Sequence, residues 1–324
     1  MTNPRASSSS IKNSSTTQQQ QKQQQRRRIF TYLQNVYANK TNWLTPLPWK
    51  PSLKLLFDQA YMKDIRLNQT VHYDSLFKQG EALKAGNHFI YNLLNMLNKL
   101  ELRLVTIEGS MGSGKSVLAL KFLKDWLRTL CDDERIFLYC DLSKYENNSQ
   151  NLDLNSVMNL FGIPMYLYED FMWLIEKNAH NIVVVIETNY INISARLIFK
   201  LFYKVFPVSK FVVFYRPDYF DMYQDLPKSQ EYRYLLRRRI KLKILNHSTR
   251  QTLNLLKQVS TNSVIFQNFR DTLHEYADLK RLCTNPFISM VVMNLYKETK
   301  GMKFVENKLL LFRKILLAIW KRYS

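Results

Sequence analysis

Glycine is scarce in this sequence, with seven residues among 324. Three of them, Gly109, Gly112 and Gly114, fall close together. Glycine is the residue that adopts left-handed backbone conformations without a steric cost. A glycine-poor chain that gathers glycine in one place therefore needs unusual backbone freedom there, and this segment is the first candidate for a functional loop.

Cysteine is also scarce, and the pattern excludes two kinds of scaffold. Cys131, Cys140 and Cys283 lie at unrelated spacings, so none forms a metal-type pair, and an odd number argues against a disulfide framework. The five histidines are dispersed as well, so we expect no zinc site. Free cysteines of this kind are typical of a reducing compartment.

Long apolar segments are missing too. The N-terminus is polar and lacks the apolar core of a signal peptide. The longest apolar runs, such as Ile182–Ile186, are far shorter than the roughly 20 residues that a membrane-spanning helix needs. We therefore expect a soluble cytoplasmic protein without a transmembrane segment.

Acidic residues are outnumbered by basic ones, and the net charge is +21. Such a charge favours phosphate-bearing partners or an anionic membrane surface, although a solvated basic surface explains it equally well. Residues 1–28 are rich in Ser, Gln and Arg and contain no acid, and they are predicted to be a disordered tail. The triplet Arg26–Arg28 fits a plain flexible tail, an import signal or a weak nucleic-acid contact.

The rest of the chain divides by its hydrophobic pattern. Short apolar runs alternate with amphipathic helical patterns over residues 99–247, which predicts an α/β domain with a mostly parallel sheet flanked by helices. From Ser248, a good N-cap residue, the pattern is helical only. The predicted organisation is a tail (1–28), a mixed, mostly helical segment (29–98), the α/β domain (99–247), a helical domain (248–300) and the start of a further segment (301–324).

The glycine cluster belongs to Gly109–Ser116, which matches G-x-x-x-x-G-K-[ST]. An apolar strand precedes it and an amphipathic helix follows it, so backbone N–H groups and a helix N-terminus would converge on phosphate oxygens. Lys115 would reach the β- and γ-phosphates, and Ser116 would bind Mg²⁺. The predicted nucleotide-binding residues are Gly109, Ser110, Met111, Gly112, Ser113, Gly114, Lys115 and Ser116. The sequence therefore predicts a P-loop NTPase fold that binds ATP or ADP with Mg²⁺.

Other candidate residues stand at the ends of predicted strands. Glu187 ends the run Ile182–Ile186 and suits the second Mg²⁺-binding acid. Asp141 is either another acid at this edge or the cap of a turn. Arg216 either meets the γ-phosphate or pairs with Asp218. The segment that follows Glu187, Thr188–Asn192, contains no acid to orient an attacking water, so any ATPase activity is expected to be weak or absent.

These features resemble the NACHT family, the nucleotide-switch ATPases of innate-immune receptors, over about residues 70 to 324. Beside the phosphate loop, the resemblance is carried by Cys140–Leu142 with Asn151–Leu160, Val183–Glu187, Lys210–Asp218, Leu282–Phe287 and Asn307–Tyr323. It implies that Arg216 is a sensor arginine and that Pro286 lies against the nucleotide base. It also implies that the chain stops before or within a winged-helix domain. The missing acids after Glu187 depart from the family pattern.

The resemblance implies an ATP/ADP-binding switch or scaffold in signalling or innate-immune-like regulation, with protein partners or self-association. The alternative is a nucleotide-utilising enzyme such as a deoxynucleoside kinase. Deoxynucleoside kinases have a similar phosphate loop, and Arg237–Arg239 could imitate their arginine-rich lid. A third interpretation, nucleic-acid binding, has the charge in its favour but no recognition module.

Overall fold

The computed structural model describes residues 24–25, 27–40, 43–44, 55–56, 66–69, 83–84, 89–128, 134–142, 153–188, 201–217, 238–260, 262–298 and 308–320. The predicted tail, residues 1–28, lies outside these residues except for 24–25 and 27–28, which are helical. The predicted domain boundaries stay predictions.

The strands are β1 (Trp43–Leu44), β2 (Leu55–Leu56), β3 (Arg66–Gln69), β4 (Leu83–Lys84), β5 (Leu104–Glu108), β6 (Ile136–Asp141), β7 (Ile182–Glu187), β8 (Lys210–Tyr215) and β9 (Arg239–Ile244). The helices are α1 (27–40), α2 (Phe89–Lys99), α3 (Lys115–Arg128), α4 (Leu154–Phe161), α5 (Tyr168–Asn178), α6 (Thr249–Val259), α7 (Ser263–Glu275), α8 (Ala277–Leu282), α9 (Pro286–Glu298) and α10 (Lys308–Trp320).

The main sheet has seven strands in the order β4-β3-β9-β5-β8-β7-β6. The five strands from β9 to β6 run parallel, and β3 and β4 are antiparallel additions at one side. All residues of β5 and β7 are buried, as expected for strands covered on both faces. The predicted α/β fold with a mostly parallel, helix-flanked sheet is therefore confirmed.

Helix α1 packs at the other edge of the sheet, beside the last strand, β6. Its residues Ile29, Leu33 and Tyr37 recur every four positions and are fully buried. The Tyr37 hydroxyl donates to the carbonyl oxygen of Phe137 (3.2 Å) and accepts from the backbone N–H of Tyr139 (2.9 Å). Because β6 is the last strand in the sheet, one tyrosine hydroxyl takes the place of a neighbouring strand at these two groups.

The helical region after β9 has a hydrophobic core of its own, in which Leu255, Phe269 and Val292 are fully buried. Ser248 caps α6 in a reciprocal capping box with Gln251, as its position in the sequence predicts. One helical pattern over Phe269–Leu282 is interrupted in the structure, because Tyr276 adopts an extended backbone between α7 and α8. A new helix, α8, begins after Tyr276. The carboxylate of Asp278 in its first turn interacts favourably with the helix dipole and so stabilises this N-terminus.

The helices among the described residues are all too short or too polar to cross a lipid bilayer.

Candidate phosphate-binding site

The glycine-rich loop lies where the sequence predicts it, between the end of β5 at Glu108 and the start of α3 at Lys115. The backbone N–H of Gly109 donates to the carbonyl oxygen of Tyr215, which fixes the loop's first residue to β8 (3.1 Å). Gly112 and Gly114 have φ values of +76° and +98°, which only glycine adopts readily. The loop therefore turns back on itself at the carboxyl edge of the sheet, directly before a helix N-terminus.

Lys115 folds back over this loop. Its ammonium group is buried and donates to the carbonyl oxygens of Gly109 (2.7 Å) and Ser110 (2.9 Å). The N-terminus of α3, which begins at Lys115, adds a partial positive charge in the same place. The loop encloses a positive site suited to a phosphate group.

Ser116 and Glu187 meet beside that site. The Ser116 hydroxyl donates a hydrogen bond to Oε1 of Glu187, although the two residues lie on different elements, α3 and β7. The Tyr139 hydroxyl donates to the other carboxylate oxygen, Oε2 (3.2 Å). Three features together identify the fold: the strand-loop-helix geometry, the buried Lys115, and the contact between Ser116 and Glu187.

The chain has an α/β P-loop NTPase fold.

Burial dominates the electrostatics of Glu187. Desolvation raises the pKa of this carboxyl group, and the nearby charge of Asp141 raises it further. Hydrogen bonds from Ser116 and Tyr139 and the positive charge of Lys115 lower it. These contacts oppose the effect of burial only in part, and the pKa of Glu187 stays raised above its ordinary value.

The donor set suits magnesium. Mg²⁺ prefers oxygen ligands and is commonly held by one or two carboxylates, and the Ser116 hydroxyl and Glu187 carboxylate already face each other in this structure. A cation held between these two oxygens would take the place of the direct hydrogen bond between them. Among the described residues no cluster of three or more His, Cys, Asp or Glu side chains forms a separate metal site.

Asp141 is the last residue of β6 and lies in register with Glu187 on β7. Two strands, β7 and β8, separate β6 from the P-loop strand β5. At about 4.8 Å per strand, the end of β6 is therefore some 14 Å from the end of β5. Asp141 therefore neighbours Glu187 rather than the phosphate loop.

Arg216 directly follows β8, which lies between β5 and β7. The backbone places this residue at the carboxyl edge between the phosphate loop and Glu187. Its predicted alternative partner, Asp218, lies outside the described residues, as do Arg237 and residues 189–192. The sensor role of Arg216 stays a prediction.

The helical region contacts the phosphate loop directly. The Asn285 side chain donates from Nδ2 to the Met111 carbonyl oxygen (2.8 Å), and the Phe287 N–H points at the Gly112 carbonyl oxygen (3.4 Å). Pro286, between them, is buried and begins α9. Pro286 is thus the direct neighbour of two residues that contact the loop, while its predicted contact with a base stays a prediction.

Sequence reasoning missed Glu108, the residue before the first loop glycine. Its buried carboxylate forms ion pairs with Lys241 (3.3 Å) and Lys243 (3.4 Å) and accepts from the Tyr215 hydroxyl (3.3 Å). These contacts join the end of β5 to both of its neighbouring strands, β8 and β9. Alternating lysines in β9 were visible in the sequence, but only the register of β5 with β9 brings them to Glu108.

No protein-family model matches the sequence, and no curated protein sequence matches it significantly. Among solved structures, the chain is similar to the ORC2 protein of Aeropyrum pernix in ADPNP-ADP complexes, with a TM-score of 0.44, 13% identity and coverage of 81% of this chain and 72% of that one.

Two further structures are similar to this chain. Cdc6p of Pyrobaculum aerophilum gives a TM-score of 0.39 at 14% identity, covering 73% of this chain and 68% of that one. AMPPCP-bound DnaA of Aquifex aeolicus gives 0.39 at 14% identity, covering 71% and 67%. The strand order and the loop geometry of this chain establish its fold.

Proposed function

We propose that this chain binds ATP or ADP with Mg²⁺ at Gly109–Ser116 and works as a nucleotide-dependent switch or scaffold of the NACHT type, in signalling or innate-immune-like regulation. Hydrolysis is weak or absent. One observation carries the proposal: Lys115 is buried within the loop, while Ser116 next to it already contacts the acid of β7, Glu187.

Each residue has a defined task in this proposal. The loop N–H groups and the N-terminus of α3 bind phosphate oxygens, and Lys115 adds a charge-assisted hydrogen bond. Ser116 and Glu187 hold Mg²⁺, which neutralises phosphate charge when it is bound. Thr188–Asn192, after Glu187, contains no acid to orient an attacking water. Bound ATP is therefore hydrolysed slowly and stays in the site.

Titration calorimetry with ATP and ADP on wild type and Lys115→Ala tests the proposal. A lost charge-assisted contact of about 1.5–3 kcal/mol weakens affinity by roughly 10- to 150-fold. Lys257→Ala is the control, because Lys257 is an exposed lysine near the end of α6. Equal affinity in wild type and Lys115→Ala would remove the phosphate-loop assignment.

The deoxynucleoside kinase alternative requires a carboxylate base near the γ-phosphate. Asp141, the acid at the carboxyl end of β6, is separated from β5 by two other strands. No contact in the described part of the chain favours the kinase. Transfer of phosphate from ATP to a nucleoside would reopen it.

A further inference from the structure

Two hydrogen bonds connect the phosphate loop with the start of α9, and both end on loop carbonyl oxygens. The Asn285 amide donates to Met111, 174 positions earlier in the chain, and the Phe287 N–H approaches Gly112. In a planar trans peptide the C=O and the next N–H point in opposite directions. A donor that holds the Met111 carbonyl from outside the loop therefore directs the Gly112 N–H toward the inside.

Asn285 has a second task on its own helix. Its Oδ1 accepts from the N–H groups of Phe287 (3.0 Å) and Ile288 (3.2 Å), as an N-cap does. One side chain thus caps α9 with its oxygen and holds the loop with its nitrogen. Because both ends are engaged, a shift of the loop peptide and a shift of α9 are coupled through a single rigid amide.

The turn that carries Asn285 is fastened to the helical region. The Thr252 hydroxyl of α6 donates to the Cys283 carbonyl oxygen (2.8 Å), and the His247 N–H donates to the Thr284 carbonyl oxygen (2.8 Å). The turn therefore moves together with α6 and the segment that leads into it from β9. A loop contact made by Asn285 consequently reaches α6 as well as α9.

The approach of the two elements is close at Gly112. A Cβ atom built there would lie 2.6 Å from the Phe287 Cβ and 2.7 Å from the Asn285 Oδ1. Such a side chain fits only if Asn285 and Phe287 move away. The absence of a side chain at Gly112 is therefore a condition for the docking of α9 as well as for the loop's positive φ.

We propose that Asn285 is a positioning residue that orients the Met111–Gly112 peptide for phosphate and thereby couples occupancy of the loop to docking of the helical region. This inference rests on the proposed nucleotide binding. Coupling between two sites is reciprocal, so docking strengthens phosphate binding and phosphate binding strengthens docking by the same factor.

Asn285→Ser tests the coupling, because serine still caps a helix but lacks the amide donor and adds no charge. We expect ADP to bind about three- to tenfold more weakly to this variant in titration calorimetry. We also expect ADP to slow amide exchange in α9 by at least about fivefold in wild type and by little in the variant.

Asn262→Ser is the matched control. Asn262 caps α7 in the same manner, accepting from the N–H groups of Val264 (2.9 Å) and Ile265 (3.1 Å), and among the described residues it makes no hydrogen bond to the phosphate loop. This variant is expected to keep wild-type affinity and wild-type protection of α9. An equal loss in both variants would overturn the inference, because capping alone would explain the effect.

Two further measurements keep the result decisive. If Asn285→Ser fails to fold, Asn285→Asp replaces it in the test, because aspartate also caps a helix but lacks the amide donor. ADP is then expected to give little protection of α9 in Asn285→Asp. Cys283 is buried, and desolvation raises the pKa of its thiol to about 12, so slow alkylation of Cys283 reports a closed turn.

Unchanged affinity and protection in Asn285→Ser, beside a clear loss in Lys115→Ala, would overturn the inference alone. Failure of the wild type to bind any nucleotide would overturn the proposed function and the inference together.

Discussion

The Ser116 hydroxyl donates a hydrogen bond to Oε1 of Glu187, which joins the first turn of α3 to the end of β7. The contact spans β8, the strand between the P-loop strand and β7. The first turn of α3 therefore lies beside the carboxyl end of β7, although the loop before it starts from β5. The two predicted Mg²⁺-binding residues are therefore neighbours in space, although 71 positions separate them in the chain.

Glu187→Gln keeps the shape of this side chain and removes its charge. We expect the affinity for ATP without Mg²⁺ to stay within about twofold, and the gain in affinity on adding Mg²⁺ to be largely lost, since the metal prefers an ionised carboxylate. Calorimetric titrations with and without Mg²⁺ measure both. Glu176→Gln, at an exposed position of α5, should behave as wild type. A full magnesium effect in Glu187→Gln would contradict the assignment.

Hydrolysis is expected to be slow, well below the roughly 1–1,000 turnovers per second of ordinary enzymes. The reason is chemical: no Asp or Glu follows Glu187 within Thr188–Asn192 to orient an attacking water. A steady-state phosphate-release assay with purified protein measures the rate. Several turnovers per second would contradict this prediction and favour a true enzyme.

Gly112 and Gly162 form a natural comparison, because both have positive φ, +76° and +66°. Alanine at Gly162 meets no atom within 4 Å, so it costs only the backbone strain of about 1–2 kcal/mol. Alanine at Gly112 must also displace Phe287 or Asn285. We expect the free energy of unfolding to fall further in Gly112→Ala, together with faster amide exchange in α9. Equal destabilisation by Gly112→Ala and Gly162→Ala would show that Phe287 and Asn285 move aside at little cost.

Tyr37→Phe tests the closure of the sheet by α1. It removes the hydroxyl that serves Tyr139 and Phe137 and leaves buried backbone groups without that partner, at a cost of about 1–3 kcal/mol. Tyr32→Phe is the control, since its hydroxyl donates to an exposed carbonyl of Gly162 (2.6 Å) that water can reach. Urea unfolding should give a clearly larger loss for Tyr37→Phe. Equal losses would mean that water reaches the edge of β6.

The sequence by itself determined the local features of this protein. The spacing Gly109–Ser116 demands a strand, a tight loop and a helix in that order, because positive φ, a lysine and a helix N-terminus all act within eight residues. The capping box at Ser248 is equally local. Apolar strand runs such as β7 indicate burial on both faces wherever the strand pairs.

The tertiary structure alone decided which distant residues meet. Nothing near Asn285 in sequence specifies that its amide reaches Met111, and nothing near Tyr37 specifies that it completes the edge of β6. Glu108 found its lysines only through the register of β5 with β9. Such contacts depend on the packing of the whole chain, because side chains more than 100 positions apart are brought together by the sheet order and not by any local pattern.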